Sequence, residues 1–182
     1  PEGLDVAEVL DIVSAVDRTL VPAGDTVALW STALPAGATQ PMVLERGVPS
    51  DAVEFADGRV NLRSMIAPAG VRLSYTYAAP GDEIELRVEH PVDRLELVVA
   101  GAEAEVEGAS HAETTTRNGR VVHRYEGTGL EPGETLRVRL VARGAAGSGE
   151  SPDRWVWIWA AIGGGLLLAA AALWWTGRST AG

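Results

Sequence analysis

Apolar and polar side chains alternate along most of the first 141 residues, with turn-forming pairs between the alternating runs. In "RLELVVA", Leu95, Leu97 and Val99 share one face, and in "TLRVRLV" the same holds for Leu136, Val138 and Leu140. A period of two is the signature of a strand with one face buried and the other wet. "VEFADGRVNL" predicts a hairpin at Asp57-Gly58, because a two-residue type I′ turn needs positive φ at both positions. Phe55 is then opposite Val60, and Val53 opposite Leu62. "ETTTRNGRVVHRY" predicts a second at Asn118-Gly119, with Glu113 opposite Arg124 and Arg117 opposite Arg120. "VRLSYTYAAPGDEIELRVEH" predicts a third about Pro80-Gly81, pairing Tyr77 with Ile84, Tyr75 with Leu86 and Leu73 with Val88.

The opening stretch, "LDVAEVLDIVSAVDRTL", fits two patterns. Val9, Val13, Val16 and Leu20 suit a helical face, whereas Leu4, Val6, Leu10, Ile12 and Val16 suit one side of a strand. Its β-branched content favours the strand. Short strands with regular turn signals predict an all-β protein, an antiparallel immunoglobulin-like β-sandwich over residues 1–143. "RGAAGSGESPDR" then reads as a flexible linker over 144–154, holding the domain within about 15 to 18 Å of the apolar run beyond it.

The alternation gives way at Trp155 to 21 residues without a charge, ending at Trp175. As a helix this run measures about 31 Å, close to the roughly 30 Å hydrocarbon core of a bilayer. Trp155, Trp157 and Trp159 at one end, and Trp174 and Trp175 at the other, match the aromatic belts of a membrane-spanning helix. A transmembrane helix is therefore expected over 155–175, with a short cytoplasmic tail at 176–182. Ala161, Gly165 and Ala169, four residues apart, form a candidate groove for a second helix.

One Arg flanks each side of the run, so the count of basic residues does not set the orientation. Analogy with single-pass proteins that have a cleaved signal puts the β-domain outside the cytoplasm, periplasmic or extracellular; the start at Pro1 leaves open whether a signal peptide or further domain precedes it. A tail-anchored protein with a cytoplasmic domain is the alternative.

Charge narrows the partners. All 25 acids and 14 of the 15 Arg precede Trp155, so that region carries −11. A surface of this sign repels phosphates, which argues against nucleic acid and against peripheral docking on anionic lipid. There is no Cys, so neither disulfides nor thiolate chemistry enters.

Motifs for chemistry are missing. His90, His111 and His123 show no metal-ligand spacing, and no nucleophile elbow, phosphate loop, dinucleotide fingerprint or calcium loop occurs. Neither a metal nor a cofactor is expected. The acid pairs Asp82-Glu83 and Asp51 with Glu54 are too ordinary in so acidic a chain to mark a hydrolase. Tyr75 and Tyr77 could line a ligand platform, but share a face with Leu73 and read as core.

The order of segments, from "LDVAEVLDIVSAVDRTLVPAGDTVALWSTALPAGA" through "VPSDAVEFADGRVNLRSMIAPAGVRLSYTY" and "HPVDRLELVVAG" to "YEGTGLEPGETLRVRL" and the terminal run, resembles a group of bacterial membrane-anchored extracytoplasmic proteins. These often carry a carboxypeptidase-regulatory-like β-domain upstream, and some accompany cytochrome c maturation genes. The charge-free span, the short tether and the missing motifs point to a single-pass, non-enzymatic protein of the cell membrane whose β-domain binds or positions a protein partner. The alternative is an accessory subunit of a membrane complex, recruited through the small-residue face around Gly165, for which the resemblance implies a link to cytochrome c maturation.

Overall fold

The structure is a computed structural model and describes residues 3–24, 27–44, 47–100, 102–117, 120–141 and 155–162. It is all-β, built of mainly antiparallel sheets in the manner of a sandwich. Thirteen strands are described: β1 (Gly3–Ile12), β2 (Trp30–Ala33), β3 (Thr39–Val43), β4 (Val53–Ala56), β5 (Arg59–Leu62), β6 (Val71–Pro80), β7 (Glu83–Arg87), β8 (Val92–Ala100), β9 (Glu103–Glu107), β10 (Ser110–Arg117), β11 (Arg120–Leu130), β12 (Thr135–Val141) and β13 (Trp155–Ile162).

One seven-stranded sheet, in the order β10-β11-β8-β13-β1-β6-β3, forms the first layer. The facing layer is divided into two three-stranded sheets, β7-β12-β9 and β2-β5-β4. Leu4, Val6, Leu73, Tyr75, Leu97 and Val99 from the large sheet and Ile84, Val138, Val60 and Leu62 from the small ones join a single buried core. The alternation read from the sequence is what places these residues inside, and the opening stretch is a strand, as its β-branched residues suggest. That strand ends at Ile12, and Val16 is exposed.

The Asp57-Gly58 hairpin forms with the expected register, Phe55 opposite Val60 and Val53 opposite Leu62. Its turn residues have φ of 52° and 69°. A Cβ at Gly58 would meet no atom within 4 Å, so only backbone strain opposes a side chain there. Gly58→Ala is expected to lower stability by about 1 kcal/mol in urea unfolding, without altering the fold. Glu113 also pairs with Arg124 and Arg117 with Arg120 across β10 and β11, while Asn118 and Gly119 lie outside the described residues.

Two expectations are corrected. Pro80-Gly81 does not close a hairpin: β6 pairs with β1 and β3, whereas β7 pairs with β12 in the opposite layer. Both strands present their apolar side chains to the same core, which alternation alone cannot distinguish from pairing within one sheet.

The second correction concerns the terminal run. Trp155–Ile162 is not the beginning of a helix but β13, parallel to β1 and antiparallel to β8. Val156 and Ile158 are buried in the core. Trp155, Trp157 and Trp159, expected at a membrane interface, and Ala161, expected in a helix groove, are thus strand positions; Trp157, for instance, is the register partner of Ala7 on one side and of Val98 on the other. Alternating Val and Ile between Trp residues has the period and composition of a strand, and a gap between β1 and β8 would leave two rows of backbone groups unpaired. Gly165, Ala169, Trp174 and Trp175, the linker 144–154 and the tail 176–182 lie outside the described residues. Among the described residues no helix is long and apolar enough to cross a membrane.

Candidate functional site

Where the facing layer divides, β2 and the end of β7 border a cleft whose floor is the large sheet. Glu8 and Leu10 of β1, Leu95 of β8 and Ile158 of β13 contribute from below; Trp30 of β2 and His90 contribute from above. The cavity holds about 80 Å³ and opens to solvent on one side.

Glu8 occupies a position of β1 that alternation assigns to the core, between Val6 and Leu10, and is 7 % exposed. Its carboxylate accepts hydrogen bonds from the hydroxyls of Tyr75 (2.5 Å) and Tyr77 (2.6 Å), both on the inner face of β6. The two rings stack with centroids 6.3 Å apart, which directs both hydroxyls to one carboxyl group. Burial pushes the Glu8 carboxyl above the usual carboxylate range, and the two phenol donors oppose this. Burial, reinforced by the charge on Glu8 and by hydrogen bonding to it, pushes both phenols well above their ordinary value, so they remain O–H donors at neutral pH. Among the described residues no cation pairs with Glu8.

The upper wall is held by a network that ties the two small sheets together. The Arg59 guanidinium of β5 donates to both carboxylate oxygens of Glu89, at 3.1 and 2.7 Å. The Ala33 amide also donates to Glu89, at 3.1 Å. The Arg59 hydrogen bond is the main reason the Glu89 carboxyl is held below its ordinary value. His90 Nε2 donates to the Ser31 carbonyl (2.7 Å), which fixes the proton on that nitrogen, and its ring lies 5.3 Å from that of Trp30. Trp30 is 7 % exposed, and its indole Nε1 is buried without a hydrogen-bond partner. An orphaned buried donor is unusual, since such groups are nearly always satisfied.

The cleft therefore brings together an acceptor at Glu8, a free donor at Trp30 and apolar walls. Sequence reasoning identified Tyr75 and Tyr77 and their core position but missed Glu8, Trp30, Arg59 and Glu89. The signal for Glu8 was present: an acid at core parity within an apolar strand.

The remaining candidates are dispersed. His111, Thr114 and His123 form an exposed hydrogen-bonded group on β10 and β11, at 2.9 and 3.0 Å. Glu54 is paired with Arg63 and Glu83 with Arg137. Among the described residues no three His, Asp or Glu are placed to hold a metal ion. No family model matches the sequence, and neither the curated proteins nor the solved structures contain a significant match.

Proposed function

We propose that this chain is a non-enzymatic binding protein held at the cell membrane by its C-terminal apolar run, with the β-domain outside the cytoplasm. The observation that carries the reading is the part of the run beyond β13, uncharged and closed by Trp174 and Trp175. With β13 in the sheet, the uncharged residues beyond the domain are Gly163 to Gly177. As a helix these fifteen reach about 22 Å, less than the roughly 30 Å core. Snorkelling of Arg178 and local thinning of the bilayer accommodate a mismatch of this size. The domain then extends to Ile162 and meets the bilayer with little intervening chain. An immunoglobulin-like strand plan is the finer version of the fold, and suits a domain that presents edges and loops to a partner. An accessory role in a membrane complex, including one in cytochrome c maturation, rests on the family resemblance, and its helix groove is reduced to Gly165 and Ala169.

The full chain is expected to remain in the membrane pellet after alkaline carbonate extraction, and a chain ending at Ile162 to be released. Release of both forms would exclude an integral anchor. A phosphatase fused after Gly182 is expected to be inactive, and a fluorescent protein there to fluoresce; the reverse would invert the orientation.

A further inference from the structure

The cleft between the two small sheets contains two unmet demands. One is the buried carboxylate of Glu8, which has two neutral donors and no cation among the described residues. A buried carboxylate is costly unless an opposite charge or enough donors compensate it. The other is the Trp30 indole N–H, buried and unpartnered beside the same cavity. Leu10, Leu95, Leu136 and Ile158 of the core line the same cavity and give it apolar walls. We propose that this cleft binds a small ammonium compound bearing a hydroxyl or carbonyl oxygen, its ammonium on Glu8 and its oxygen accepting the Trp30 N–H.

Size supports this class. A dry cavity of about 150 Å³ admits the six carbons of benzene. The 80 Å³ available here corresponds to roughly three to four non-hydrogen atoms. A 2-aminoethanol group has four, with its cation and acceptor at opposite ends. The opening to solvent permits a larger molecule to present such a group while its remainder stays outside. Arg87 also borders the cleft and Glu89 is engaged by Arg59, so the preference for a cation rests on Glu8, the lining acid with no cationic partner among the described residues. The high proton affinity that burial gives Glu8 in the empty cleft means that an ammonium partner would also favour its ionised form. This assignment is independent of the membrane anchor.

The test is titration of the isotope-labelled full chain in mild detergent with 2-aminoethanol, using ethane-1,2-diol and glycolate as neutral and anionic counterparts. The readout is the Trp30 indole N–H resonance, identified by its loss in Trp30→Phe. A saturable shift is expected with 2-aminoethanol, at a dissociation constant on the order of millimolar for so small a probe. The diol and glycolate are expected to bind at least about tenfold more weakly, as is 2-aminoethanol to Glu8→Gln. No shift, as for a cleft occupied by water alone, would overturn the proposal. So would equal shifts from the amine and the diol in the unaltered protein, a comparison that needs no variant to fold.

Discussion

Ile158→Asp is expected to abolish the cooperative unfolding of the β-domain or to lower its midpoint by more than about 10 °C. Ile158 lies in the middle of β13, is 3 % exposed and packs in the core between β1 and β8. An aspartate there loses the apolar contacts of the isoleucine, about 2 to 5 kcal/mol by analogy with truncation to Ala. It also buries a second carboxylate near Glu8, whose register partner on β13 is Ile158 itself. Total stability of a domain this size is about 5 to 15 kcal/mol, so the combined loss takes most of it. Thermal melts of the full chain in mild detergent, followed by near-ultraviolet circular dichroism, measure the effect. A domain that melts as the unaltered protein does would mean that Trp155–Ile162 contributes nothing to the sandwich.

The second large effect is expected at the buried carboxylate. Tyr75→Phe with Tyr77→Phe removes both donors to Glu8 while leaving the rings in the core. Hydrogen bonds to a charged group contribute about 1.5 to 3 kcal/mol each, so the pair is expected to cost about 3 to 6 kcal/mol where Glu8 is ionised. The loss depends on pH in a defined direction. Because the folded-state carboxyl titrates above its ordinary value of 4.5, the folded protein keeps the Glu8 proton when the unfolded chain has released it. Stability therefore declines as pH rises from about 4.5 through the folded value, then levels off. Removing the donors raises the folded value further and prolongs that decline. The difference between variant and parent is thus smallest near pH 4, where the carboxyl is protonated in both, and larger at a pH above the folded value. Urea unfolding at both pH values checks this, and a difference that grew in acid would contradict the assignment of Glu8 as a buried, phenol-bonded acid. Glu89, held low by Arg59, titrates in the opposite sense, but both proteins share it.

These effects fall on residues that the sequence makes legible to different degrees. The inward faces of β1, β6, β8 and β12 follow directly from alternation, and the Asp57-Gly58 turn follows from the rarity of positive φ. Pairing is harder to read. Leu73, Tyr75 and Tyr77 of β6 and Ile84 of β7 all face the core, and their pattern is the same whether the chain doubles back within one sheet or crosses to the other. The Pro80-Gly81 turn crosses.

The terminal run illustrates a conflict between two signals. Its length and lack of charge predict a helix through the bilayer, whereas the order Trp155-Val156-Trp157-Ile158-Trp159 has the period and β-propensity of a strand. Long-range pairing to β1 and β8 decides the first eight residues, and no local rule carries that information. The site was obscured for a related reason. Glu8 interrupts an otherwise apolar strand face, but its meaning depends on Tyr75 and Tyr77, 67 and 69 positions away. Trp30 was overshadowed by five other Trp in the terminal run.

The position of β13 beside β8 holds the large sheet together at its centre, and the absence of Cys from the chain makes that position directly measurable. Trp159 and Glu96 are register partners on these antiparallel strands. Paired positions of this kind have Cα atoms about 4.5 to 5.5 Å apart, within the span of a disulfide. The full chain carrying Trp159→Cys and Glu96→Cys, isolated in mild detergent and oxidised gently, is expected to form the intramolecular bond almost completely, and a control pairing Trp159→Cys with Asp51→Cys is not. If the first pair remained reduced under conditions that oxidise exposed thiols, the terminal run would lie outside the sheet, and the seven-stranded layer would be wrong at its centre.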